Sequence, residues 1–288
     1  MERHTRSYLQ LIKPGITLSN TIAAAAGLAL GSSVVAASTT TVFGLIVGTM
    51  LVIASACVVN NITDRNIDRK MKRTSKRELA MNAISVPKAG LFATLLGLAG
   101  FTTLFLWTNP LTTFIGLVAV IWYVIIYGLL KRHSLWSTIV GGVAGALPPV
   151  AGYVAAVGQI DAAAIILFFM MYFWQMPHFY AIAIFRKQDY VASGLPIWTV
   201  RRNVSEAKLQ MLIFTFLFAL TGPLLTVFGY TGLWFAFGIV VLSLYWVSMG
   251  VILYNKFSDE VWAKRMFRIS LVVMLAMSAL VAIGGYTP

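Results

Sequence analysis

Every one of the 22 Lys and Arg residues in this chain can be placed on one side of a stack of long apolar runs. Nine such runs, at 15–36, 42–62, 87–107, 110–130, 136–157, 162–185, 209–228, 233–253 and 267–286, read as membrane spans. Each has the roughly 20 mainly apolar residues that a helix needs to cross a bilayer. The basic residues fall in 3–13, 65–88, 131–132, 186–208 and 256–268, on the face that holds the N-terminus. Only Asp161 carries charge on the other face. Cytoplasmic Lys/Arg bias sets orientation, so the N-terminus is expected in the cytoplasm and the C-terminal Gly-Tyr-Thr-Pro outside. One span more or fewer would scatter the cations over both faces.

Composition supports the same architecture. The chain is 59% hydrophobic and 11% charged, against about 25% charged in soluble domains. Its apolar surface therefore faces lipid. The expected fold is all-α, a polytopic helix bundle forming one domain over 1–288. The net charge of +13 then reports orientation and contact with anionic headgroups, with no nucleic-acid partner expected. No cleavable signal peptide is expected, because the first apolar run leads into a span without an Ala-x-Ala-like site. The single cysteine, Cys57, excludes an intrachain disulfide and reads as packing. Gly141 and Gly145 form a small-xxx-small pair. Pro148 and Pro149 lie mid-span, as a packed kink or as a bend lining a substrate.

The second run ends in Asn60, Asp64 and Asp68, spaced four apart. At 3.6 residues per turn the three share one helical face within about 80° of arc. Intramembrane polar groups are costly and usually functional. A carboxamide and two carboxylates are hard oxygen donors suited to Mg²⁺, which binds through one or two carboxylates plus substrate phosphates. Arg65, Arg69, Lys72 and Arg73 add phosphate-binding cations. The competing reading is a solvated helix end, with Asp64 paired to Arg65 or Arg69 and Asp68 to Lys72.

The segment Asn60-Asn61-x-x-Asp64-x-x-x-Asp68, with the following Arg69-Lys70-Met71-x-Arg73-Thr74, resembles the first aspartate-rich motif of the UbiA-type membrane prenyltransferases. Within that superfamily it is most similar to the heme-prenylating branch, which has Asn-Asn where quinone-pathway relatives have Asn-Asp or Asp-Asp. The resemblance runs from Lys13-Pro14-Gly15 to about Trp262-Ala263-Lys264-Arg265. It includes Lys131-Arg132-His133-Ser134 and Gly141–Gly152. Glu78 departs from the proline that many members carry after Arg77. The sixth run ends Trp174-Gln175-Met176-Pro177-His178-Phe179 and Arg186-Lys187-Gln188-Asp189-Tyr190, also similar to that branch. Quinone-pathway members carry several aspartates there.

The resemblance implies a UbiA-type fold and farnesyl transfer from farnesyl diphosphate to a vinyl group of heme b, giving heme O with its hydroxyethylfarnesyl side chain. It implies Mg²⁺ on Asn60, Asp64, Asp68 and Asp189. Diphosphate would also meet Arg186 and Lys187, so that two lobes converge from spans 2 and 6, four spans apart. Heme contact falls to His178, or to Arg132 and His133 at the interface. His178 can equally be a packed hydrogen-bond partner, and His133 simply solvated. Tyr123, Tyr127, Trp174 and Phe179 are candidates for an aromatic wall around the isoprenoid, or ordinary packing. The implied setting is the bacterial plasma (inner) membrane, with the site at the cytoplasmic face. Heme A synthase or a terminal-oxidase assembly would be further partners beside the lipid bilayer. Two rival readings are a prenyltransferase with a quinone-ring or chlorophyll-type acceptor and a transporter of a phosphorylated or lipid substrate. A transporter would place ionisable groups near mid-membrane.

Overall fold

A computed structural model describes residues 2–287, with side chains from Ser7 onward. Met1 and Pro288, at the ends of the expected domain, and the side chains of Arg3, His4 and Arg6 lie outside the described residues. Among the described residues nine helices are long and apolar enough to span a membrane. They are Pro14–Val34, Thr39–Asp68, Val86–Trp107, Pro110–Leu130, Ser137–Val157, Ala162–Phe185, Val204–Val227, Leu233–Ile252 and Asp259–Gly284, called here spans 1 to 9.

Local chemistry starts these helices where they are needed. Proline stands in the first turn of spans 1, 3 and 4, where its missing N–H costs nothing. Ser38, Asn109 and Asp161 cap spans 2, 4 and 6 by accepting from Thr41 N, Thr112 N and Ala164 N. All three caps lie at the sparsely charged face, where few ionic groups are present to satisfy a helix end.

Three helices outrun the apolar windows read from sequence. Span 2 continues to Asp68, span 7 starts at Val204 and span 9 starts at Asp259. Hydropathy detects the lipid crossing, whereas backbone hydrogen bonding carries a helix on into water. The extension of span 2 carries the Asn60/Asp64/Asp68 face out through the basic side. Span 4 contains a π-helical turn at Trp122–Tyr127, a widening often found at functional sites.

The close helix contact expected at Gly141 and Gly145 lies elsewhere. Those two glycines make room for the Tyr127 ring and the Gln175 amide. Backbone meets backbone most closely between spans 1 and 5. Gly27 lies against the Pro149 carbonyl and Gly152 against the Ala24 carbonyl, while a Cβ on Gly31 would stand 2.7 Å from Tyr153 O. Gly27/Gly31 is thus a small-xxx-small pair that joins helices, and Gly44/Gly48 of span 2 meets the backbone of span 3 at Trp107 and Gly100 in the same way. Lipid is as apolar as leucine, so such close approach holds the bundle where a hydrophobic core would hold a soluble protein. At the basic face, buried Lys208 ties span 7 to span 9. It donates to Asp259 Oδ1 at 2.9 Å and lies 3.8 Å from the Tyr254 ring centroid.

Candidate active site

A cavity of ≈ 820 Å³ opens among spans 1 to 6 and 9, within the range of small-molecule sites. Its deep walls are apolar, with Val52, Leu104, Ile115 and Ala151. Its basic-face end is ionic. Lys13, Arg73, Arg77, Lys131, Arg186, Lys264 and Arg268 line it against two carboxylates, Asp64 and Asp68. Seven cations facing two anions make an anion site, and the apolar depth beneath suits a greasy tail.

The aspartate face of span 2 is the hub of the ionic end. Asp64 Oδ2 accepts from Lys131 Nζ at 2.6 Å and from Asn60 Nδ2 at 2.9 Å. One Arg77 nitrogen donates to both Asp68 oxygens at 2.9 Å. The partners that sequence proximity suggested for the carboxylates do not form among the described residues. Arg65 bonds Ile62 O within its own helix turn, and Asp64 and Asp68 find partners from distant segments. Lys13 arrives from the junction before span 1 in a left-handed conformation, φ 50°. Non-glycine residues adopt that region rarely, and such strain clusters at functional sites. Its Nζ donates to Asn60 Oδ1. Burial pushes the Lys13 ammonium down to about 8, chiefly by desolvation; an arriving phosphate would provide the missing counter-charge.

Arg69 and Lys72, expected to bind phosphate, help to build the loop after span 2. Arg69 donates to Ala80 O and Asn82 Oδ1, and Thr74 Oγ1 donates to Asp68 O. Asp189, just beyond span 6, accepts from Lys72 N at 2.9 Å. The ends of spans 2 and 6 therefore do meet, through a structural hydrogen bond. Of the expected diphosphate ligands, Arg73 and Arg186 line the cavity; Arg65, Arg69, Lys72 and Lys187 do not. Lys13, Arg77, Lys131, Lys264 and Arg268 line it without having been singled out.

Asp64 Oδ1 is buried and has no hydrogen-bond donor; Arg132 Nη2 lies 3.9 Å from it. An orphaned buried carboxylate oxygen is costly and fits a hard cation. Among the described residues no three His, Cys, Asp or Glu side chains are grouped to hold a metal alone. The donor set therefore fits Mg²⁺ that shares its coordination with substrate phosphates.

On the span 6 side, His178 lines the cavity between the rings of Trp174 at 5.3 Å and Phe267 at 4.8 Å. Its Nδ1 is 2.8 Å from Ser270 Oγ. That hydroxyl has one proton, and it goes to Phe267 O at 2.7 Å. In the tautomer that satisfies both contacts, the neutral imidazole donates from Nδ1 and keeps the Nε2 lone pair. Tyr123, Tyr127, Trp174 and Phe179 all line the cavity, with the two tyrosines stacked at 5.8 Å on the π-helical turn. Arg132 and His133 are exposed and off the cavity wall; Arg132 donates to Thr63 O.

The chain belongs to the UbiA prenyltransferase family, whose pattern it matches over residues 20–272. The arrangement also matches solved folds over nearly the whole chain. A digeranylgeranylglyceryl phosphate synthase aligns with a TM-score of 0.80 at 17% identity, covering 99% of both chains. A UbiA homolog from Archaeoglobus fulgidus bound to GPP and Mg²⁺ aligns at 0.69 and 16%, covering 96% of this chain and 99% of that one. Curated relatives specify the branch. A protein named protoheme IX farnesyltransferase 2 from Chromobacterium violaceum is 41% identical, covering 98% of this chain and 94% of the relative. One of the same name from Pseudomonas putida is 40% identical over 98% and 96%.

Proposed function

We propose that this prenyltransferase moves the farnesyl group of farnesyl diphosphate onto a vinyl group of heme b, releasing diphosphate and giving heme O. The observation that carries the reading is one cavity with an anion-binding end around Asp64 and an apolar depth beside an imidazole with a free Nε2. Relatives named protoheme IX farnesyltransferase support the acceptor.

Lys13, Arg73, Arg77 and Lys131 bind the diphosphate and stabilise the charge it gains as the allylic C–O bond breaks. Asn60, Asp64 and Asp68 would hold Mg²⁺, which when bound adds Lewis-acid stabilisation to the same oxygens. The stacked Tyr123 and Tyr127 present ring faces to the farnesyl cation, and the apolar walls exclude water from it. The terminal vinyl carbon attacks the farnesyl C1. The positive charge moves to the carbon next to the porphyrin, where water adds and loses a proton. His178 contacts heme, with Nε2 available to iron and Ser270 fixing the ring.

The test uses purified protein in lipid nanodiscs with Mg²⁺, farnesyl diphosphate and heme b. Mass analysis should find heme O, with one diphosphate released per product. A protein that releases diphosphate but leaves heme b unmodified would overturn the acceptor. His178→Ala should weaken heme b binding about tenfold, the scale of one lost polar contact, while farnesyl diphosphate binding holds. Unchanged binding of both would make His178 a packing residue.

We place the basic face in the cytoplasm of a bacterium, with the inner membrane as host. A reporter fused after Pro288 should then be periplasmic, and one inserted in 186–208 cytoplasmic. Finding both on one side would sink the nine-span topology.

A further inference from the structure

The cavity has a second basic wall that the diphosphate end does not use. Lys264 and Arg268 lie one helical turn apart on span 9, and both line the cavity. Lys264 pairs with Glu260 at 2.6 Å, both side chains largely exposed, and such a pair is weak. Arg268 has no ion pair, hydrogen bond or ring partner among the described residues. Span 9 also supplies the surroundings of His178, since Phe267 packs on the imidazole and Ser270 bonds Nδ1. The Phe267 ring meets Phe185 at 5.5 Å.

A flat apolar acceptor with carboxylate arms would put its body in the cavity and its arms at the wet, basic edge. On the span 2 side of that edge the cations already face Asp64, Asp68 and the diphosphate. Arg132 engages Thr63 O, and His133 is off the cavity wall. Arg186 lines the cavity from the end of span 6 with its guanidinium over the Phe185 ring, whereas Arg268 has no ring or ion partner among the described residues and offers a fork of donors that matches a carboxylate on a long stem that reaches an interface.

Taking heme b as the acceptor, as proposed above, we infer that Lys264 and Arg268 form a carboxylate-reading edge that binds its two propionates and sets which edge of the porphyrin faces the farnesyl cation. The pair is specific for a dicarboxylate porphyrin and plays no part in diphosphate binding.

Heme b and its dimethyl ester, which lacks the charged arms, separate this role from packing. Each is titrated by its Soret band into nanodiscs holding the parent, Lys264→Gln, Arg268→Gln, Arg268→Lys or the double glutamine variant. The double variant should bind heme b about tenfold more weakly, the scale of a lost charge-assisted hydrogen bond. Affinity for the ester and for farnesyl diphosphate should match the parent, and Arg268→Lys, which keeps the charge without the fork, should fall between the parent and Arg268→Gln. Equal loss for acid and ester, or no loss for either, overturns the assignment. If Arg268→Gln also loses farnesyl diphosphate, Arg268 belongs to the diphosphate end and the assignment of the pair is overturned. A parent that binds neither porphyrin overturns the heme acceptor and this edge together. A parent that binds heme b, with variants that bind it equally well, overturns the edge alone.

Discussion

Asp64→Asn is expected to leave a correctly inserted protein whose turnover falls about 10²–10³-fold, the usual cost of one lost electrostatic group in a transition state. The substitution keeps size and removes one charge from the membrane edge, which lowers insertion cost. Its effect at the site is larger than its volume suggests. Lys131 Nζ loses its carboxylate at 2.6 Å, and the orphaned Oδ1 loses the charge that would attract a cation. A purely structural Asp64 predicts something else. The pair with Lys131 is buried, with side chains 15% and 7% exposed, and breaking a buried pair costs about 3–5 kcal/mol of stability. Expression and melting temperature would fall, while each folded molecule turned over normally. The deciding quantity is therefore heme O formed per folded, inserted molecule across a Mg²⁺ titration. Turnover within about threefold of the parent, far short of the loss expected for a catalytic electrostatic group, would refute the metal-site assignment.

The largest effect on the fold itself is expected from Gly152→Val. A Cβ at Gly152 meets the Ala24 carbonyl and stands 2.9 Å from Leu28 N. Both are backbone atoms of span 1, so no side chain can rotate away. Spans 1 and 5 would have to separate along the seam that Gly27 and Gly31 share. The cost should exceed the roughly 1–3 kcal/mol of ordinary overpacking. At about 2–4 °C per kcal/mol, the melting temperature in detergent should fall by several degrees or the protein should fail to accumulate. Gly90→Ala is the control, because nothing lies within 4 Å of a Cβ there. A Gly152→Val protein that melts with the parent would mean that the seam contributes little.

The bundle was legible because membrane proteins write topology in a coarse code. Lipid thickness sets the length of each apolar run, and the 22 cations label one face. The Asn60/Asp64/Asp68 line was legible too, since residues four apart share a face within a single helix. What the line would touch was not. Lys13, Arg77 and Lys131 come from three other segments, and no periodicity within span 2 points to them. Lys131 stood in full view beside Arg132 and His133. In sequence the three look alike, as a basic cluster at a span end. Burial separates them, with Lys131 buried and its two neighbours exposed to solvent. The glycine seam was misplaced for a related reason. Gly141/Gly145 and Gly27/Gly31 have the same spacing, and only the packing shows which pair meets backbone and which meets side chains.

The π-helical turn at Trp122–Tyr127 places a constraint on the chain that its residue types do not reveal. It winds more residues into a given rise than an α-helix does, and Lys131 lies four residues beyond it. The compass bearing on which that lysine leaves span 4 is thus fixed by how many residues precede it. An α-helix advances about 100° per residue, so shortening the stretch by one would swing Lys131 away from Asp64 even if every remaining residue kept its identity. Here the site depends on a count: the stretch holds its information in its length as much as in its letters.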